Sequence, residues 1–427
     1  MQTSAVWKWS ALALACSAIL AGCGGGSSDV DDDHDHSHIH IDTKGRLVVL
    51  EAGSPQVHVV DLDRKSVMQS YTADHVPSAV YASPGQRYAL LMQRAQNQVQ
   101  VVDGGIWQED HGNHMHDYMQ PPALLATRLT GVRPTHYESH AGQAAIFFDG
   151  NQETGDKAAV AVISDASLGK GQAGATLARQ GLDAPMHGTA EPRGDYLLTT
   201  WRAADAQSTL PSQVELYHRH DDHYHVEKRF DAQCPGLHGS YSNAQYSAFG
   251  CSDGVLIVQQ NGDQFTAKKI ANPADMGEKT RIGALLGHAH YGKFVGIAGA
   301  ENFFEVDPAA GTITRIQWAE GRKRRAHAID AEGKNLLILD DQGTLHILSV
   351  GSWRKRAQIP GVIANMPTKA PYPAFAISAA DDDAWLSDPQ GKRLLSIDID
   401  DAKIEGSIPV NFTPTGMTWL GLRKHTH

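Results

Sequence analysis

From about residue 47 the chain is a succession of short apolar runs separated by Gly, Asp, Asn and Pro. Leu47-Val48-Val49-Leu50, Val57-His58-Val59-Val60, Tyr88-Ala89-Leu90-Leu91 and Val99-Gln100-Val101-Val102 are typical. Runs of this length, bounded by turn-forming residues, predict β-strands. No stretch carries the 3.6-residue apolar period of an amphipathic helix. Many short strands at regular spacing restrict the fold to a sandwich, a barrel or a propeller.

A repeat decides among these. Its unit is a strand of small residues, a tight turn, an apolar strand, and a second apolar strand that often ends in Asp. Residues 77 to 103 show it: Pro77 to Ser83, the turn Pro84-Gly85-Gln86, Tyr88 to Met92, then Gln98 to Asp103. Similar units start near Pro134, Pro185, Gly236, Ile282, Ala326 and Pro373. The spacing, roughly 40 to 57 residues, suits four-stranded propeller blades. Residues 47 to 62 read as the second and third strands of a blade without a first. Residues 413 to 420 read as a first strand with nothing after it. Joined, they close the ring and remove its exposed edges. The expectation is an all-β chain, a single propeller of eight blades, or seven if one repeat is divided wrongly.

Aligning the blades on the turn after the first strand puts four histidines at one register: His136, His187, His238 and His327. First strands line the central channel of a propeller, so equivalent positions converge at one depth. Imidazoles gathered there can share a zinc ion, which takes three or four N or O ligands. Blades three, four and five are adjacent and supply His136, His187 and His238. His327 is a fourth ligand or only a neighbour, because an eight-bladed channel is wide. Glu138 follows His136 by two residues and should face the same way on a strand. It is expected as a ligand or as a partner that orients an imidazole. Ligands of this kind must be neutral, so zinc should be lost as pH falls through roughly 6. His140, His288 and His290 should lie at the other channel end, His75 at the mouth, and His58 and His346 on outer strands.

Three further histidine groups stand outside this register. The segment after the N-terminal region holds His34, His36, His38 and His40 among aspartates. A loop in blade two holds His111, His114 and His116, and a hairpin tip in blade four holds His218, His220, His223 and His225. Imidazole mixed with carboxylate suits zinc, and nickel or copper less well. Read as mobile segments, these would bind auxiliary metal more weakly than a formed site, since their ligands must be ordered on binding.

The N-terminus changes the picture of location. Lys8 precedes an apolar run from Trp9 to Ala21, too short to span a bilayer comfortably and typical of a signal-peptide core. The run ends in Leu20-Ala21-Gly22-Cys23, which resembles the bacterial lipobox. That resemblance implies cleavage before Cys23 and lipidation of its thiol, and Gly24 resembles the outer-membrane sorting rule. The organisation expected is a leader over 1–22, a linker and His/Asp-rich tail over 23–46, and the propeller over 47–427. With Cys16 and Cys23 accounted for, Cys234 and Cys251 remain. In an oxidising compartment a disulfide is the favoured reading, with a pair of metal thiolates as the alternative. The net charge of -11 argues against nucleic acid.

A propeller with a histidine-and-aspartate tail, followed by Arg46-Leu47-Val48-Val49 and Val57-His58-Val59-Val60-Asp61-Leu62, resembles the AztD family of periplasmic zinc chaperones. The likeness extends over essentially the whole chain after the leader. It implies zinc as cargo and the substrate-binding protein of a zinc ABC importer as acceptor. The lipobox departs from that family, which is soluble, and a tether on Cys23 to the membrane would restrict where hand-over occurs. Two other classes stay open. An exported metal-dependent hydrolase would use Glu138 as base, although no Gly-x-Ser-x-Gly elbow, His-Glu-x-x-His, phosphate loop or dinucleotide fingerprint is present. A non-catalytic lipoprotein that only buffers metal is the third.

Overall fold

The apolar runs are strands buried on both faces, which is why they read as continuous rather than alternating. In Tyr88–Gln93 every residue is buried. Tyr88, Leu90 and Met92 pack with Ile146 and Phe148 of the next blade. Ala89 and Leu91 point the other way, onto Val48, Leu50, Val57 and Val59 of the preceding one. Successive side chains of a strand face opposite sides, so a strand between two seams needs apolar residues at every position.

The computed structural model describes residues 40–112, 115–277, 280–381 and 383–424. The leader, Cys23, His34, His36, His38 and His114 lie outside them. Within the described residues the strands form eight four-stranded blades around a channel. The innermost strands are Pro414–Leu420, Ala79–Ala82, Pro134–His140, Ala190–Arg193, Ser240–Ser242, Ala284–His288, Arg324–Ile329 and Phe375–Ile377, in blades one to eight. Eight apolar clusters fill the eight seams between neighbouring blades. Each fully buried Leu or Val there is worth roughly 1.5–3 kcal/mol.

Closure follows the expected route. Pro414–Leu420 lies against Arg46–Glu51, with Leu47 opposite Trp419 and Val48 opposite Thr418. Trp419 is 2 % exposed and donates its indole N–H to the Lys44 carbonyl at 2.8 Å. The seam between blades eight and one holds Leu47, Val49, Trp385 and Trp419. Cys234 and Cys251 form a disulfide that ties the entry of blade five to its second strand.

Two insertions are more ordered than the sequence led us to expect. The blade-two segment carrying His111 and His116 is a hairpin, Ile106–Asp110 with Met115–Met119. Residues 40 and 41 bind its second strand: His40 Nδ1 lies 3.0 Å from Asp117 Oδ2, and the Ile41 amide donates to the same oxygen at 2.9 Å. The blade-four tip is the hairpin the sequence implied, and its pairing continues to the end, with His218 opposite His225 and His220 opposite His223. A parallel bridge between Arg179 and His223 fastens it to blade three. Cross-strand pairing holds these backbones where composition alone implied mobility.

Candidate metal centre

Three blades converge on one point. His136 sits on Pro134–His140, while His187 and His238 occupy the turns that lead into Ala190–Arg193 and Ser240–Ser242. They are spaced 51 residues apart in each step. Backbone bonds fix those turns: the His187 amide donates to the Thr209 carbonyl at 3.0 Å, and the His238 amide to the Gly250 carbonyl at 2.9 Å. Gly239 adopts φ +72°, and a Cβ there would stand 2.6 Å from the Gly283 oxygen. Only glycine lets the chain pass so close.

The side chains meet through Nε2. His136 Nε2 is 3.4 Å from His187 Nε2, which is 3.0 Å from His238 Nε2. Among the described residues this is the one group of three or more His, Cys, Asp or Glu whose ligand atoms all lie within 4.8 Å of one another. Nitrogens bound tetrahedrally to zinc at 2.0–2.1 Å stand about 3.3 Å apart.

The far sides of the rings define the tautomers. His238 Nδ1 donates to the Gly283 carbonyl at 2.7 Å, and His187 Nδ1 donates to Asp149 Oδ2 at 3.0 Å. A carbonyl and a carboxylate only accept, so both Nδ1 atoms carry the proton and both Nε2 atoms present lone pairs. Two lone pairs face each other across 3.0 Å, an arrangement made favourable only by a cation or a shared proton between them. Burial, reinforced by the neighbouring His187 and His238, pushes the His136 pKa down to about 4. Burial also lowers His238, against the raising effect of its Gly283 bond. Burial thus favours the neutral form of His136 and His238, and the Nδ1 bonds of His187 and His238 aim their Nε2 lone pairs inward, as metal ligation requires.

Asp149 was missed by the sequence reading. It lies just past Gln143–Phe148, is 6 % exposed, and also accepts from Arg94 Nη2 at 3.1 Å. The signal was an acidic residue directly after a run that is apolar from Ala144 to Phe148. A cavity of about 490 Å³ is lined by one of the three histidines, His187, with Asp149, Met186, Arg94, Arg133 and Glu153 among its other lining residues.

Two expected members are not there. His327 does sit on the first strand of blade seven, but its Nδ1 faces Arg324 at 3.0 Å and its ring packs near Phe303. Burial and Arg324 push its pKa down to about 3. Register places it at the right depth, but blade seven is not a neighbour of the three blades that meet. Glu138 follows His136 by two residues, about 6.6 Å along an extended strand, which sets it one layer away from the imidazoles. Its neighbour is Glu191. Burial raises Glu138 well above the usual carboxylate range, and Glu191 raises it further. Glu191 is fully buried and pushed up to about 7, mainly by burial, although the Ser240 and Ser242 hydroxyls beside it pull it down. A general base at Glu138 would stand away from any ion on the triad.

The remaining histidines divide by environment. His58 bonds Ser70 and stacks on Phe412, and buried His346 bonds Asp340. At the blade-four tip His223 Nε2 and His225 Nε2 are 3.1 Å apart, and the His220 ring lies 4.8 Å from that of His225, all three exposed. In blade two His111 and His116 stack at 4.4 Å.

No family model matches the chain. It is 24% identical over 396 residues to the zinc chaperone AztD of Citrobacter koseri, covering 90% of this chain and 88% of that protein. The crystal structure of Citrobacter koseri AztD superposes with a TM-score of 0.76 at 23% identity, covering 90% of this chain and 99% of that one. Its apo structure gives 0.74 at 22% identity, over 89% and 99%. The dihydro-heme d1 dehydrogenase NirN aligns at 0.56 with 12% identity, over 89% and 76%. The expected resemblance is therefore present in both sequence and fold, and the fold is that of the AztD propeller.

Proposed function

We propose that this chain is an exported zinc carrier, which holds one ion on His136, His187 and His238 and passes it to the substrate-binding protein of a zinc ABC importer. One observation carries the reading: three Nε2 atoms from three blades converge, two of them committed as lone pairs by Asp149 and the Gly283 carbonyl. Such a site fits zinc before zinc arrives. Three protein ligands leave a fourth position, the opening through which an acceptor's ligand enters. Similarity to a protein named as a zinc chaperone supports a carrier over an enzyme, as does the distance of Glu138 from the triad.

In this reading the leader and Cys23 bring the chain to the periplasmic face of a membrane, with the outer membrane the favoured destination. The tail histidines, together with those of the two hairpins, load or exchange the ion. The test is transfer from the zinc-loaded chain to a zinc-free substrate-binding protein of a zinc ABC importer. Zinc should move faster than it dissociates into a competing chelator. Transfer no faster than free dissociation would overturn hand-over.

A further inference from the structure

We propose that hand-over follows a fixed order, in which His136 lets go of zinc first while His187 and His238 keep hold of it. The proposal rests on the zinc reading above and adds the order in which the bonds to the ion break.

The three imidazoles are not held alike. His187 is fixed at two levels. Its Nδ1 donates to Asp149 Oδ2 at 3.0 Å, and that oxygen also accepts from Arg94 Nη2 at 3.1 Å. The backbone repeats the tie: the Met186 amide donates to the Asp149 carbonyl at 2.9 Å, beside the bond from the His187 amide to Thr209.

His238 is fixed as firmly. Its Nδ1 donates to the Gly283 carbonyl at 2.7 Å. Its turn is flanked by Gly236 and Gly239, both with positive φ, and glycine leaves a backbone much freedom. Cross-links take that freedom away. Just upstream of His238, Cys234 is bonded to Cys251, and both cysteines are buried. The Ser252 amide donates to the Pro235 carbonyl at 2.8 Å, and Arg281 Nη1 donates to the Gly236 carbonyl at 3.0 Å.

His136 has no such anchor. Among the described residues its side chain has one hydrogen-bond contact, with His187 Nε2 at 3.4 Å, on the side that faces the ion. Its strand is the innermost of blade three and is paired along one edge only. The ladder on that edge shifts register between Pro134 and His136, and such a bulge disrupts the pairing locally. A zinc-bound imidazole ordinarily gives its second nitrogen to a protein acceptor, and losing that partner costs about 10- to 100-fold in metal affinity. His187 and His238 have the partner, and His136 does not.

Exchange then has a defined course. The acceptor's first ligand takes the open fourth position, and its second takes the place of His136. One Zn–N bond breaks as one bond to the acceptor forms, with no change of oxidation state. The anchored pair, with Nε2 atoms 3.0 Å apart, retains the ion until the acceptor holds it by two bonds.

The experiment uses the whole chain, labelled with ¹⁵N in its histidines and loaded with one equivalent of zinc. Zinc stoichiometry is measured first. The neutral bidentate chelator 1,10-phenanthroline is then added in steps, and the imidazole ¹⁵N resonances are followed. His136 Nε2 should return to its zinc-free position first, while His187 and His238 stay at their zinc-bound positions. Release of His187 or His238 first, or of all three in one step, would overturn the order while leaving the triad standing. A second readout is the zinc affinity of His136→Ala, His187→Ala and His238→Ala, by competition with a chromogenic chelator. His136→Ala should cost at least about tenfold less affinity than either of the others. Equal losses would overturn the order as well. Absence of stoichiometric zinc in the wild type would overturn both the order and the zinc reading.

Discussion

The channel triad and the blade-four hairpin tip hold similar imidazoles at similar spacing. Ring centroids are 4.9 to 5.2 Å apart in the triad. Those of His220 and His223 with His225 are 4.8 and 4.9 Å apart. The two regions differ in what holds the rings. Triad rings come from three blades and are half-buried, and two of them, His187 and His238, are anchored at Nδ1 by Asp149 and the Gly283 carbonyl. The three hairpin rings come from six consecutive residues, 220 to 225, and stand in solvent, where His223 leans on an Asp222 side chain that is itself 92% exposed. Spacing alone does not make a tight site. The cost of ordering the ligands is met during folding in the channel, but falls on the binding step at the tip.

The largest break in this comparison is His187→Ala. It removes the central ligand and should weaken zinc binding by at least about a thousandfold, read by competition with a chromogenic chelator. Unchanged affinity would move the tight site elsewhere.

Next comes burial itself. Glu191 has its pKa raised to about 7, against an ordinary 4.5. A raised acid contributes stability in full below 4.5 and loses it as pH rises through 7. Glu191→Gln should therefore stabilise the metal-free chain at pH 8, by up to about 3 kcal/mol, and change little at pH 4.5. Equal effects at both values of pH, in chemical denaturation, would contradict the burial argument.

Removing an anchor should cost less than removing a ligand. Asp149→Asn keeps the shape but weakens the grip on the His187 ring, and should reduce zinc affinity about 10- to 100-fold. Affinity within twofold of wild type would show that the anchor does not matter.

The smallest effect belongs to the tip. Replacing His218, His220, His223 and His225 by alanine should leave tight binding within about threefold and remove only weaker zinc seen in calorimetry. Loss of the tight ion in this variant would reverse the comparison.

Much of this was legible in the sequence, for physical reasons that also mark where it stopped. Strands buried on both faces write continuous apolar runs, so the blades and their closure through residues 413 to 420 were readable. A repeat turns sequence register into channel depth, so His136, His187 and His238 stood out. Register does not encode angle around the ring, however, and His327 satisfies the one without the other. Nor does it tell a shared face from a shared layer, which is why Glu138 was expected at the metal and lies beside Glu191 instead. Asp149 and Gly283 reach the triad from elements outside the aligned strands. The pH expectation sharpens as well: burial lowers His136 to about 4 and also lowers His238, so protons compete less with zinc for those two rings than for an exposed imidazole.

The most direct test is anomalous diffraction at the zinc edge from crystals of the chain loaded with one equivalent of zinc. The account predicts one strong peak within about 2.1 Å of Nε2 of His136, His187 and His238. A principal peak at His220, His223 and His225, or between Glu138 and Glu191, would contradict it.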